Sequence, residues 1–138
     1  MWKTSHTEIV NSSSRDIWQH WTDVSKWPKQ DESLQSAELL GEFKIGSIII
    51  LKPKGSPKVK VKLTEVTKDK SFSSIGKLPL AKLRFSHKIK TVKQGVSFTQ
   101  SIEISGPLSG LFGKMMGNKM ASNLEKRMIK LAKIASKH

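Results

Sequence analysis

The chain has 138 residues, of which 36% are hydrophobic and 26% charged, with no cysteine and a formal net charge of +14. This length fits one domain around a single core, and the missing cysteines exclude disulfides, thiol catalysis and cysteine-ligated zinc or iron–sulfur sites. The charge is uneven: residues 1–43 carry four basic and seven acidic side chains, net −3, and residues 44–138 carry twenty-one and four, net +17.

The opening, MWKTSHTEIV, lacks a basic stretch followed by an apolar one, and the apolar run Ile48, Ile49, Ile50 and Leu51 is far shorter than a bilayer span. A cytoplasmic single domain over residues 1–138 is expected. His6 to Asn11 reads as a strand. Ser13 or Ser14 then offers an N-cap, Asp16 suits the positive end of the helix dipole, and Ile17, Trp18, Trp21 and Val24 recur at helical spacing. The helix or helix pair should end by Trp27-Pro28, because a residue before proline avoids the helical region.

From Leu34 to Ile104 the apolar period becomes two. Val59, Val61 and Leu63 alternate with Lys58, Lys60 and Lys62. Leu83, Phe85 and Ile89 alternate with Lys82, Arg84, Lys88 and Lys90. Val96, Phe98, Ile102 and Ile104 alternate with serine, threonine and glutamate. About six strands result, each with one dry and one wet face, as in an antiparallel sheet covered on one side. Glu65 keeps the inward parity of Leu63, but Val66 next to it predicts a bulge that turns the carboxylate out.

Gly106-Pro107 closes the sheet. Leu108, Leu111, Phe112, Met115, Met116, Met120, Leu124, Met128, Leu131 and Ala135 then keep helical spacing, with Lys126, Lys130, Lys133 and Lys137 on the polar face. One long helix on one bent antiparallel sheet is an α+β solution, and the bend leaves space between the two.

This order resembles the START-type helix-grip superfamily (SRPBCC), and within it the polyketide cyclase/dehydrase-like group. The resemblance rests on Ile9-Val10-Asn11-Ser12-Ser13-Ser14, the Ile17-Trp18 pair, Asp23, Trp27-Pro28, Gly46 after Phe43-Lys44-Ile45, and Ser105-Gly106-Pro107-Leu108. The chain departs from the family at Lys29-Gln30-Asp31, where a second tryptophan often stands. The resemblance implies a helix-grip fold: about seven curved strands on a C-terminal helix, with two short helices after the first strand. It also implies a cavity between sheet and helix that takes small hydrophobic molecules such as lipids, quinones or polyketides, and in some members a cyclisation reaction.

Two polar residues interrupt the inward faces. His87 shares the parity of Phe85 and Ile89, and Gln100 that of Phe98 and Ile102. A turn near Lys93-Gln94-Gly95 that pairs Ile89 with Phe98 sets His87 opposite Gln100. The two either satisfy each other or orient a ligand's carbonyl or hydroxyl. The expected cavity lining is Val61, Leu63, Phe85 and Phe98 on the sheet, Phe112, Met115, Met116 and Met120 on the helix, and Trp27 at the rim. The alternative is a cyclase-like enzyme with His87 as acid/base. Asp31 and Glu32 read as loop residues. The four histidines lack metal-ligand spacing, so no metal and no cofactor is expected. The lysine-bearing strand faces should form a basic outer surface. That surface supports at most a weak, salt-sensitive contact with an anionic membrane or RNA, and a third reading of the chain is a basic adaptor that docks on an acidic partner, RNA or membrane through this face. No aromatic residues interleave with the lysines to stack on bases, so specific nucleic-acid recognition is not expected.

Overall fold

The computed structural model describes residues 1–136; Lys137 of the expected polar helix face and His138 lie outside the described residues. Seven strands run in chain order: β1 (Trp2–Val10), β2 (Leu34–Leu40), β3 (Ile48–Pro53), β4 (Val59–Thr67), β5 (Ser71–Leu78), β6 (Ala81–Val92) and β7 (Gly95–Ser105). They form one curled antiparallel sheet in the order β1-β7-β6-β5-β4-β3-β2. The helices α1 (Ser14–Thr22) and α2 (Trp27–Gln30) follow β1, and α3 (Ser109–Ala135) follows β7. This is the helix-grip arrangement of an α+β domain.

The first strand starts four residues earlier than the sequence pattern indicates. Its inward positions, Trp2, Thr4, His6 and Glu8, are mostly polar and only partly buried at the sheet edge, so they give no apolar alternation. Ser13 caps α1 by accepting from the Asp16 amide at 3.1 Å, and Ile17, Trp18 and Trp21 form the buried side of the helix. A 3₁₀ turn (Val24–Lys26) leads into α2, which Trp27-Pro28 opens rather than ends. Proline's missing N–H is harmless in a first turn, and Trp27 accepts helical angles of φ −56° and ψ −36° to continue the chain direction.

In β4 the register shifts between Leu63 and Glu65, so Val66 meets Phe72 on the inward side. Glu65 is turned outward, where its carboxylate accepts from Thr67, Ser71 and Ser73. The β6–β7 hairpin pairs Ile89 with Phe98 and His87 with Gln100, the register that the apolar pattern predicts.

The long helix lies against β1 and β7. Its inner face is Gly117, Leu124, Met128, Leu131 and Ala135, all buried. The Trp2 indole lies flat over Gly113 and Gly117: a Cβ on Gly117 would stand 2.7 Å from the ring, and one on Gly113 2.9 Å from it. At about 100° per residue, the side opposite Gly117 is that of Leu111 and Met115, and both face solvent, at 51% and 70% exposure. The remaining core is aromatic and aliphatic. Phe72, Phe98, Ile17, Ile49, Leu63, Ile102 and Ile104 are at most 1% exposed, and each contributes about 1.5–3 kcal/mol by leaving water.

Candidate functional site

The concave side of the sheet is covered unevenly. Where α3 crosses β7, Phe98, Ile102 and Ile104 are sealed. On the neighbouring strand β6, Leu83, Phe85 and Ile89 point the same way yet stay partly exposed, and so do Phe112, Met116 and Met120 on α3. Helical geometry puts Met116, Met120 and Arg127 on one flank of α3. The contacts of Arg127 to Gln100 on β7 and to Asp31 beyond α2 show that this flank turns toward the open part of the sheet. Val61 and Leu63 lie buried deeper along the same face. Sheet and helix therefore border a strip of partly exposed apolar side chains over a floor in which Val61, Leu63 and Phe98 are packed, rather than the expected cavity. Met115 was expected in its wall, but it points to solvent because Gly113 and Gly117 take the inward positions against Trp2. Two depressions mark the surface elsewhere. One, of about 450 Å³, lies beside the β5–β6 turn and Gly106-Pro107. The other, of about 280 Å³, lies on the outer sheet face among Lys3, Arg84, Lys88 and Glu103.

A polar row crosses the inward face. His6 on β1 pairs with Gln100 on β7, and Gln100 with His87 on β6. His6 Nε2 and Glu8 Oε2 are in hydrogen-bond contact at 2.5 Å at the strand edge. Gln100 is 5% exposed, and its Oε1 accepts a long contact of 3.5 Å from Arg127 Nε. Arg127 Nη1 stands 3.6 Å from Asp31 Oδ2, and Asp31 Oδ1 accepts from the Ser33 amide at 2.9 Å. Asp31 does lie in a loop, as read from the sequence, but it is 8% exposed and anchors the one arginine of α3.

Aromatic rings surround His87. Its imidazole stacks on Phe72 with centroids 3.9 Å apart, and the Trp21 indole meets it edge-on at 5.1 Å. Burial, and after it the Arg127 charge, holds the His87 pKa well below 6.5, while a hydrogen bond with the Phe72 backbone offsets part of the fall. The ring is thus neutral at neutral pH. Burial also lowers the Arg127 pKa, with Asp31 working against it, and a guanidinium stays charged throughout. Two polar atoms of this cluster, His87 Nδ1 and Trp21 Nε1, are buried with no hydrogen-bond partner.

The structure brings His87, Gln100, Phe85, Phe98, Val61, Leu63, Phe112, Met116 and Met120 to one side of the sheet. Trp27 is half-buried near it, stacked on Phe72 at 6.4 Å and donating from Nε1 to the Trp21 carbonyl at 3.1 Å. Sequence reasoning passed over Arg127, Asp31 and Trp21 as site residues. For Arg127 a signal existed: it falls three residues after Leu124 and next to Met128, at the edge of the apolar stripe, where the other basic residues of α3 avoid that edge. Among the described residues, no group of three or more His, Asp or Glu is placed to hold a metal ion, and no helix is long and apolar enough to cross a membrane.

A helix gripped by a curled antiparallel sheet, with an apolar strip and a few inward polar groups, defines the class of hydrophobic ligand-binding folds. The chain belongs to the polyketide cyclase/dehydrase and lipid transport family, whose model matches residues 1–135. Solved structures share the fold at low identity. Truncated norcoclaurine synthase from Thalictrum flavum superposes with a TM-score of 0.75 at 16% identity, covering 99% of this chain and 94% of that one. A hypothetical protein from Helicobacter pylori gives 0.75 at 13% identity, covering 96% and 86%. The di-domain aromatase/cyclase of the steffimycin biosynthetic pathway gives 0.78 at 12% identity over 96% of this chain and 50% of that one. No curated protein matches the sequence.

Proposed function

We propose that the protein binds a small amphiphilic molecule between the sheet and α3. The apolar body of the ligand lies along Phe85, opposite Phe112, Met116 and Met120, with Trp27 at the border and the packed Phe98, Val61 and Leu63 as the floor beneath it. Its oxygen-bearing end points to His87 and Gln100. The observation that carries this reading is the pair of buried atoms without a hydrogen-bond partner, His87 Nδ1 and Trp21 Nε1, beside the partly exposed apolar strip. A buried polar atom without a partner costs about 1–3 kcal/mol, and a ligand hydroxyl or carbonyl would remove that cost. Because the imidazole is neutral, the site suits an uncharged oxygen or a carbonyl polarised by nearby Arg127 more than a bare carboxylate. A lipid, quinone or polyketide-like compound meets these demands, and the family description names polyketides and lipids.

A second reading follows from the same histidine. A neutral buried imidazole can take a proton from a bound substrate, as a cyclase or dehydrase would require. Extraction of the purified protein followed by mass spectrometry tests binding: an apolar oxygenated compound should be recovered in near-stoichiometric amount. Titration with a fluorescent fatty acid and with a naphthoquinone should quench the tryptophan emission saturably, and His87→Leu should weaken the better probe roughly tenfold, the loss of about one hydrogen bond. If nothing is extracted and neither probe saturates, the reading fails. A compound recovered with altered mass after incubation favours the enzyme.

A further inference from the structure

The first turns of α3 and the β5–β6 turn meet at one end of the sheet. Leu108 N donates to the Leu80 carbonyl at 3.1 Å. Gly106, at φ +107°, lies so close that a Cβ there would come within 2.9 Å of the same oxygen. The two connections are thus clamped into one tip. The tip is apolar and wet: Leu80 is 68% exposed, Leu111 51% and Met115 70%, with Pro79 and Pro107 also exposed. Leu111 and Met115 fall on one outward side of the helix, and Leu108, which precedes its first turn, ties that end to Leu80 through its amide.

Leu80 carries a second anomaly. Its φ is +54°, a left-handed conformation that glycine or asparagine normally fills. Nothing packs around this side chain to reward a leucine there, so the fold holds an aliphatic group out in water at some conformational cost. Beside it stand Lys77 and Lys82, which line the adjoining depression, and α3 carries Lys114 and Lys119 further along. No carboxylate occurs between residues 104 and 124 or between 70 and 102.

We propose that this tip docks on the surface of an anionic lipid bilayer. Protruding aliphatic side chains flanked by Lys77 and Lys82 match the interface of such a membrane, where the apolar groups enter the acyl boundary and the ammonium groups meet the phosphates. Charge decides the partner class. A protein partner for an exposed aliphatic tip would not require the flanking lysines, and an RNA partner would leave the leucines and Met115 unused, with no aromatic residue on the tip to stack on bases. The inference is independent of what the interior binds, and its test contains no interior ligand.

Flotation of the full-length protein with vesicles at physiological salt is the measurement. Binding to phosphatidylcholine vesicles containing phosphatidylglycerol is expected, and little to phosphatidylcholine alone. Leu80→Gly combined with Met115→Gln should reduce partitioning by about tenfold or more, as expected for withdrawing two aliphatic groups from the interface. Because glycine relaxes the positive φ, this variant should unfold at no lower temperature than the parent. Lys77→Gln with Lys82→Gln should also weaken binding, in a manner that added salt imitates. Lys60→Gln with Lys62→Gln, on the outer face of β4, should leave flotation unchanged. The proposal is overturned if the parent fails to float with anionic vesicles, if it floats equally with neutral ones, or if the β4 variant loses as much as the tip variants. It is equally overturned if the tip variants instead dissolve a dimer on a sizing column or abolish an RNA gel shift.

Discussion

Replacing Arg127 by methionine isolates the polar bridge across the interior. The substitution keeps the apolar stem and removes only the guanidinium. At 3.6 Å from Asp31 and an effective dielectric of about 20, the attraction is about 4–5 kcal/mol. Desolvating both groups offsets much of this, and the Arg127 side chain is 22% exposed, so its net contribution is smaller. What remains after Arg127→Met is a carboxylate at 8% exposure whose one oxygen keeps Ser33 and whose other has lost its cation. The expected cost is about 2 kcal/mol, a fall in Tm of about 6–10 °C for a domain of this size. Removing the stranded charge as well, in Asp31→Asn/Arg127→Met, should recover at least half of that loss. Urea unfolding of the parent, both single variants and the double variant closes the cycle. Imidazole proton shifts should at the same time show the His87 pKa rising in Arg127→Met, since a repelling charge is gone. Additive single and double effects, with an unmoved His87 titration, would refute the view that Arg127, Asp31 and His87 form one electrostatic unit.

Stability should also depend on pH through His87. Its folded pKa lies below the unfolded value of 6.5, so the unfolded chain binds more protons between the two. The contribution is present in full above about pH 6.5 and falls by up to about 1.4 kcal/mol per pH unit as the pH drops toward the folded pKa. In His87→Leu that component should be missing from the pH profile of urea midpoints. A second outcome concerns the helix glycines. Gly117→Ala would add about 1 kcal/mol on helix propensity alone, but its Cβ meets the Trp2 ring at 2.7 Å. It should therefore destabilise by about 1–2 kcal/mol in the parent and stabilise in a Trp2→Ala background, as read by thermal melts of the four proteins.

The sheet was legible because its information is local. Alternating Lys58, Lys60 and Lys62 with Val59, Val61 and Leu63 leaves one way to pair a strand that hides the apolar set. Two such strands joined at Lys93-Gln94 then fix Ile89 against Phe98 and His87 against Gln100, the register observed. The capped first helix and the outward turn of Glu65 followed from equally local chemistry. Those residues determined the architecture and the two polar positions inside it.

Tertiary structure decided what closes over them. The phase of α3 was misjudged at Met115 because the inward positions of its first half, Gly113 and Gly117, carry no hydropathic signal, and the Trp2 indole lying on them joins Leu124, Met128 and Leu131 in setting the helix rotation. Asp31 and Arg127 are 96 positions apart, one in a loop and one among lysines. Nothing in either neighbourhood predicts that α2 and α3 bring them to 3.6 Å. Likewise the exposure of Leu80 depends on a clamp between two distant turns. Periodicity reports which way a side chain points relative to its own strand or helix. Which neighbour it meets depends on how separate elements dock, and that is settled by the shape of the whole core.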